Sequence, residues 1–368
     1  MLQLPDFPWN ALIPAKERAS QHSDGLVDLS VGSPVDPTPE VIARILSEST
    51  DAHAYPTTNG TPALRDAIVA WYARRRNASG LTPAGAIPTV GSKELVGLMP
   101  TLLGLRPGDV VVHPTVAYPT YDIGARVVGA TPFPSDDPDE WPAATKLVWL
   151  NSPANPSGRL DSVEFLRRAV ARARELGAVI INDECYAQLV WTDSEAPSIL
   201  DDRVVGADLT GVLSAYSLSK QSNLAGYRAA FLAGDPQLIA GILEVRKHLG
   251  LIVPAPVQAA MVAALNDDGH VEAQKALYRS RREVLLPALI AAGFTVDYSE
   301  AGLYLWVTKG EPALDTIDWL AGLGILAAPG VFYGEACARH VRIALTATDE
   351  RIAAAARRLA DAASTSVQ

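Results

Sequence analysis

Short apolar runs alternate with longer stretches of helical periodicity through the middle of the chain. Asp109–His113 (DVVVH), Lys146–Leu150 (KLVWL), Ala178–Asn182 (AVIIN), Gly211–Ala215 (GVLSA) and Tyr227–Ala233 (YRAAFLA) read as strands. Between the second and third, Val163–Leu176 carries Val163, Phe165, Leu166, Ala169, Val170, Ala173 and Leu176 on one face. Asp161 or Ser162 can cap its start, and Gly177 stands where a helix stop belongs. A further helical stretch, Glu94–Leu103, follows TVGSKE. This alternation predicts an α/β fold: a mainly parallel sheet with helices on both faces. In the last third, helices over Leu277–Ala292 and Asp349–Ala363 flank strands at Gly302–Val307 and His340–Ala344, which suggests a smaller α+β unit. The Pro254–Pro256 bend is the expected boundary, giving a large domain over 36–254 and a small one over 255–368. The Pro-rich, irregular residues 1–35 read as an N-terminal arm that adds to the small domain.

Charge narrows the partners. The chain has 368 residues, with 41 acidic against 31 basic side chains, a formal net charge of −10. That field repels phosphate backbones, so nucleic acid is not an expected partner, and an anionic substrate needs local Arg or Lys to hold it. Two cysteines, Cys185 and Cys337, cannot build a disulfide framework or a Cys-rich zinc site, so no metal is expected. The uncharged run Leu249–Asn266 contains Pro254, Pro256 and Gln258, and reads as a bent core segment rather than the ~20-residue span a membrane requires. MLQLPDFPWN has no basic stretch leading into an apolar one, as a signal peptide would. The expectation is a cytoplasmic globular protein with no membrane partner.

The candidate chemistry centres on Ser214–Arg228, SAYSLSKQSNLAGYR, in which Lys220 follows a predicted strand between small hydroxyl residues. A lysine that can be held neutral in a partly desolvated cationic site is suited to Schiff-base chemistry. Ser217, Ser219 and Arg228 would give a phosphorylated cofactor two hydroxyls and a guanidinium fork. In INDECY, Asp183 ends an apolar strand, where a carboxylate could pair with a protonated pyridine nitrogen or merely cap the turn. Tyr186, three residues later, and Asn155 of NSPANPSG could reach the ring's phenolic oxygen, although Asn-Pro and Ser-Gly are also ordinary turn chemistry. Gly91 allows close approach to a helix start at Ser92 and Lys93, whose backbone N–H groups would suit a phosphate.

The ordered segments YPTTNGTPALR, GSKE, PTVAYPTY, NSPANPSG, NDECY, SLSK with Arg228, and VRIALTA resemble the fold-type I, class I/II aminotransferases over nearly the whole chain. The resemblance implies pyridoxal 5′-phosphate as cofactor, held covalently by Lys220, which then moves the proton between Cα and C4′. It implies that Asp183 holds the pyridinium nitrogen, that Tyr186 and Asn155 bond the phenolic oxygen, and that Tyr118 stacks on the ring. Ser92, Lys93 (through its backbone), Ser217, Ser219 and Arg228 are similar to the family's phosphate cradle. Tyr55 resembles the tyrosine that reaches the neighbouring subunit's phosphate, implying a homodimer with shared sites. Arg342 resembles the arginine that grips the substrate α-carboxylate, and Gly32 the backbone position beside it.

Within that family, FPWNAL, VDLSVGSPVDPTP, YPTTNGTPALRDAI and SLSKQSNLAGYR are similar to N-succinyldiaminopimelate aminotransferases of the actinobacterial type. This implies amino transfer between glutamate and N-succinyl-2-amino-6-oxopimelate, a step of lysine biosynthesis. Such a substrate carries three carboxylates, so further cations are expected in the cleft. Lys16, Arg18, Arg246 and Lys247 are the candidates, with Tyr333 as a possible lining residue. Another aminotransferase, for instance one acting on acetylornithine, and a carbon–sulfur β-lyase remain open alternatives, since both would use the same lysine. The sensor of a transcription regulator is disfavoured by the net charge and by the few residues ahead of the matching region.

Overall fold

The computed structural model describes residues 4–365. Its centre is a seven-stranded sheet in the order Ala86–Val90, Ala229–Gly234, Val212–Ser217, Val179–Asp183, Thr145–Asn151, Val110–His113, Thr131–Pro134. Ala229–Gly234 runs antiparallel to both its neighbours, and the remaining pairs are parallel. Its central strands are buried throughout, as befits a sheet covered on both faces. One apolar cluster includes Leu64, Trp71, Val148, Leu166, Tyr216 and Phe231, and a second includes Leu95, Met99, Tyr121, Trp149 and Leu213.

The helix over Val163–Leu176 has the predicted bounds: the Ser162 side chain accepts from Phe165 N–H, and Gly177 closes it at φ 62°. Most other predicted elements shift by a residue or two. Leu277–Ala292 is the back part of a longer helix, Gly269–Ala291, whose polar first turns concealed its start.

A second assembly comprises an antiparallel four-stranded sheet, Ala328–Pro329, His340–Ala344, Tyr304–Thr308 and Thr295–Val296. The helices Gly269–Ala291, Ala313–Gly322 and Asp349–Thr365 accompany it. Two features correct the sequence reading. Residues 1–35 are not irregular throughout: Ile13–Ser20 is helical, and Val27–Asp28 pairs in parallel with Ile325–Leu326. The Pro254 bend is not where the cores divide. Pro254 is the N-cap of helix Ala255–Asn266, and Val257, Ala260, Met261, Ala264 and Leu265 of that helix join the large-sheet core. An apolar helix packs where its widest face is covered, and here that is against Glu40–Glu48 and Pro62–Arg76.

Among the described residues, no helix is long and apolar enough to cross a membrane.

Candidate active site

The register of the large sheet explains why distant motifs meet. Asn151 is paired with Asp183, and Asp183 with Ala215, so three parallel strands deliver NSPANPSG, DECY and SLSK at one edge. Because Ala229–Gly234 is antiparallel, with Ala230 opposite Ser217, its first residues lie at that same edge and bring Arg228 with them. Val90 opposite Ala229 then brings Gly91 and Ser92. The resulting cleft, about 480 Å³, takes in the carboxyl ends of the parallel strands, where ligands of open α/β sheets bind.

One group of the lining residues has the donors an anion would need. Ser92 opens the helix Ser92–Leu102, so unpaired backbone N–H groups lie at its start. Arg228 sits in the left-handed region at φ 57°, a strained position for a non-glycine residue. A Cβ at Gly91, where φ is 79°, would lie 2.1 Å from Nη2 of Arg228, so only glycine lets the guanidinium cover the helix start. The Ser217 hydroxyl donates to Ser219 Oγ at 2.8 Å and accepts from Ser219 N–H at 3.1 Å. The Lys93 side chain does not join this group; it extends over the rings of Phe7 and Tyr118.

Asp183 also lines the cleft. Tyr121 donates to its Oδ2 at 3.0 Å, and Cys185 N–H donates to Oδ1 at 3.2 Å, so Asp183 both caps its turn and keeps a carboxylate in the cleft. Burial pushes its pKa up, and no ion pair offsets that burial among the described residues. The neighbouring Glu184 faces away. It accepts from Arg76 at 2.8 Å, Ser198 at 2.9 Å and Ile199 N–H at 2.7 Å, a buried network beneath the strand end. Burial raises the phenol of Tyr118 to about 12, so it is neutral at physiological pH.

Next to Ser219, the Lys220 ammonium donates to the Gly32 carbonyl. Arg342 is buried; it donates to Asn155 Oδ1 at 2.9 Å and Ser30 O at 2.7 Å, and its guanidinium lies 3.9 Å from the Tyr304 ring centre. With the Asn155 oxygen occupied by Arg342, the NH₂ of that amide is its donor end. The Tyr304 and Tyr186 hydroxyls are 3.3 Å apart. Burial opposes ionisation of Tyr304, yet the facing Arg342 and Lys220 cations bring its pKa below the usual tyrosine value. A Cβ on Gly32 would fall 2.0 Å from the Tyr304 hydroxyl, so glycine is required where the two chain segments touch.

Gly32, Ser92, Lys93, Tyr118, Asn155, Asp183, Tyr186, Ser217, Ser219, Lys220, Arg228 and Arg342 thus line one cleft. Tyr55 does not; it is 97% exposed on the surface of this chain. The candidate cations for distal carboxylates also lie elsewhere. Arg18 pairs with Asp318, Arg246 is buried against Glu94 at 3.4 Å, Lys247 pairs with Glu244 at 2.7 Å, and Lys16 is exposed on the helix Ile13–Ser20. Each is claimed by a nearer carboxylate or faces solvent, which spacing along the chain cannot reveal. Sequence reasoning missed Tyr121, Tyr304, Phe7 and Trp9, all of which line the cleft. Tyr121 had a signal, being the second tyrosine of AYPTY and one turn from Tyr118. Phe7 and Trp9 belong to FPWNAL, which the sequence reading singled out without giving it a place in the site, whereas Tyr304 had no signal beyond being aromatic.

The family description "Aminotransferase class I and II" matches residues 24–359. A 4-dedimethylamino-4-oxo-anhydrotetracycline transaminase of Streptomyces rimosus is 56% identical over 98% of this chain and 100% of its own length. A probable aminotransferase of Mycobacterium tuberculosis is 54% identical over 97% of this chain and 85% of its own. Among solved structures, a probable N-succinyldiaminopimelate aminotransferase of Thermus thermophilus is 30% identical with a TM-score of 0.87, covering 97% of this chain and 100% of its own.

Proposed function

This chain belongs to the class I and II aminotransferase family, and from that premise we propose that it transfers an amino group between an α-amino acid and a 2-oxo acid, with Lys220 as the acting base. Pyridoxal phosphate is the family's cofactor. When bound, it supplies an aldehyde that captures the substrate amine and a pyridinium ring that accepts the electrons released at Cα.

The residues present fit that group. The observation that carries the reading is Asp183, a buried carboxyl with no ion pair among the described residues, lining the same cleft as Ser217, Ser219, Arg228 and Lys220. Asp183 would hold the ring nitrogen protonated. Tyr186 and the Asn155 NH₂ would donate to the phenolic oxygen, and Tyr118 would cover the ring face. Ser92, the Lys93 backbone, Ser217, Ser219 and Arg228 would hold the phosphate, with Tyr55 of a second copy completing it in a homodimer. Lys220 would take the proton from Cα and return it at C4′, and Arg342 would fix the α-carboxylate so that the Cα–H bond points at that amine.

Gly91→Ala is expected to displace the Arg228 guanidinium. A charged hydrogen bond is worth ~1.5–3 kcal/mol, so cofactor release during dialysis, followed by absorbance, should show affinity falling about ten- to a hundredfold. Arg342→Lys keeps the charge but loses the two-pronged fork. Steady-state kinetics should show kcat/KM for glutamate falling by about one to two orders of magnitude, mostly through KM.

The deciding experiment mixes cofactor-loaded protein with glutamate and follows the visible spectrum through a single turnover. Conversion to the amine form of the cofactor supports the reading, and an unchanged spectrum refutes it. A second reading, amino transfer to N-succinyl-2-amino-6-oxopimelate in lysine biosynthesis, draws on the Thermus thermophilus relative. Its test is the same spectrum with N-succinyl-LL-diaminopimelate as donor, where conversion no faster than with acetylornithine would sink it. Against it stands the absence of Lys16, Arg18, Arg246 and Lys247 from the cleft lining.

A further inference from the structure

The cleft's cations are Lys93, Lys220, Arg228 and Arg342 among the described residues. In the function proposed above, three of them are committed: Lys220 to the proton, Arg228 to phosphate and Arg342 to the α-carboxylate. Among the described residues of one copy, Lys93 is the cation left to meet a substrate side chain, and its ammonium lies 5.5 Å from the Phe7 ring centre and 5.9 Å from that of Tyr118.

The same region is walled by the N-terminal segment. Phe7 and Trp9 both line the cleft, and their rings stack with centroids 5.6 Å apart at 27°. The segment is held in place: Phe7 is the N-cap of the 3-10 turn Pro8–Leu12, and Trp9 packs on Phe332 at 5.2 Å and edge-on to Tyr333 at 6.5 Å. Tyr333 in turn is buried 5.0 Å from the Arg342 guanidinium, and its backbone carbonyl accepts from Ala117 N–H at 2.8 Å. The Trp9 indole N–H and the Tyr333 hydroxyl are buried with no hydrogen-bond partner among the described residues. Leaving a buried donor unpaired is unfavourable, and of these two residues Trp9 lines the cleft, where a ligand acceptor would meet its indole N–H.

We propose that Phe7, Trp9 and Lys93 form a side-chain subsite for a planar aromatic ring bearing a hydrogen-bond acceptor. The preferred partner substrates are then aryl 2-oxo acids and their amino acids rather than acidic ones. This rests on the proposed amino-transfer reading, because Arg342 must hold the α-carboxylate at one end. An aromatic pair gains from ring quadrupole alignment beyond its area burial, and a cation over a ring face is attracted by the same quadrupole. A second carboxylate would instead meet one flexible ammonium and the electron-rich faces of two rings.

The test uses cofactor-loaded protein and two unreactive analogues, 3-(4-hydroxyphenyl)propionate and glutarate, titrated by calorimetry. The aryl acid is expected to bind about tenfold more tightly, the factor that ~1.4 kcal/mol gives. That ratio should collapse toward one in Phe7→Ala and in Trp9→Leu. Phe7 is 55% exposed, so its replacement leaves the core intact even if Trp9→Leu folds poorly. Glutarate binding as tightly as the aryl acid, or a ratio unmoved by Phe7→Ala, overturns the subsite. The two proposals fail separately: an inert glutamate spectrum removes the amino-transfer reading, whereas the analogue ratio decides the subsite alone.

Discussion

Lys220→Ala is expected to abolish the single-turnover conversion by glutamate while leaving the fold intact. Lys220 is half-buried at the cleft, and its amine donates to the Gly32 carbonyl, a contact whose loss exposes no buried partner charge. A positioned acid–base group contributes on the order of 10²–10⁴-fold, and in the proposed function this lysine would also anchor the cofactor, so the loss should reach the upper end of that range. Because the missing group is an amine in a cleft, added methylamine should restore part of the rate. Rescue by a small amine, with unchanged circular dichroism, identifies the loss as chemical. A variant that retained more than about a tenth of the rate would show that some other base takes the Cα proton.

Asp183→Asn should have the second-largest effect, and it should split activity from stability. Asn is nearly isosteric: its oxygen can still accept from Cys185 N–H, and its NH₂ can donate to the Tyr121 hydroxyl oxygen where the carboxylate accepted. It cannot neutralise a protonated ring nitrogen. Losing a buried charge-assisted bond of ~1.5–3 kcal/mol predicts at least a ten- to hundredfold slower half-reaction and weaker cofactor binding. Stability of the cofactor-free protein should move the other way. Burial raises the Asp183 pKa in the fold, so the folded state binds its proton more tightly than the unfolded chain. Its contribution is therefore favourable below the ordinary carboxylate range of about 4 and is lost as pH rises through the raised folded-state value. At neutral pH burying this carboxyl costs stability, and Asn removes that cost. Thermal melts of the cofactor-free variant should match or exceed the wild type at pH 7, with a smaller rise on adding cofactor. A lower melting temperature at pH 7 would mean that Asp183 is a structural anchor instead.

Much of the site is legible in the sequence, because the cradle, the strand-end carboxylate and the lysine each demand particular residue types. Lys220 flanked by Ser217 and Ser219, Asp183 ending an apolar run, and Gly91 ahead of a helix are local signals that do not depend on knowing their spatial neighbours. The crossover pattern likewise points to the mainly parallel sheet, since strand and helix periods are properties of the chain itself.

What the tertiary structure alone decided is which of the remaining side chains face the cleft. The order of the seven strands, with Ala229–Gly234 inserted antiparallel, sets Arg228 and Gly91 side by side although 137 positions separate them (228 − 91). Arg246 and Arg18 have the right charge and are reasonable anion ligands in sequence, yet Glu94 and Asp318 hold them elsewhere. Tyr304 and Trp9 enter the cleft through contacts with Arg342 and Phe332 that no local pattern connects. A sequence fixes residue type and local period; long-range packing selects among cations and aromatics that look alike, because the energy of each contact depends on a partner that the local pattern does not name.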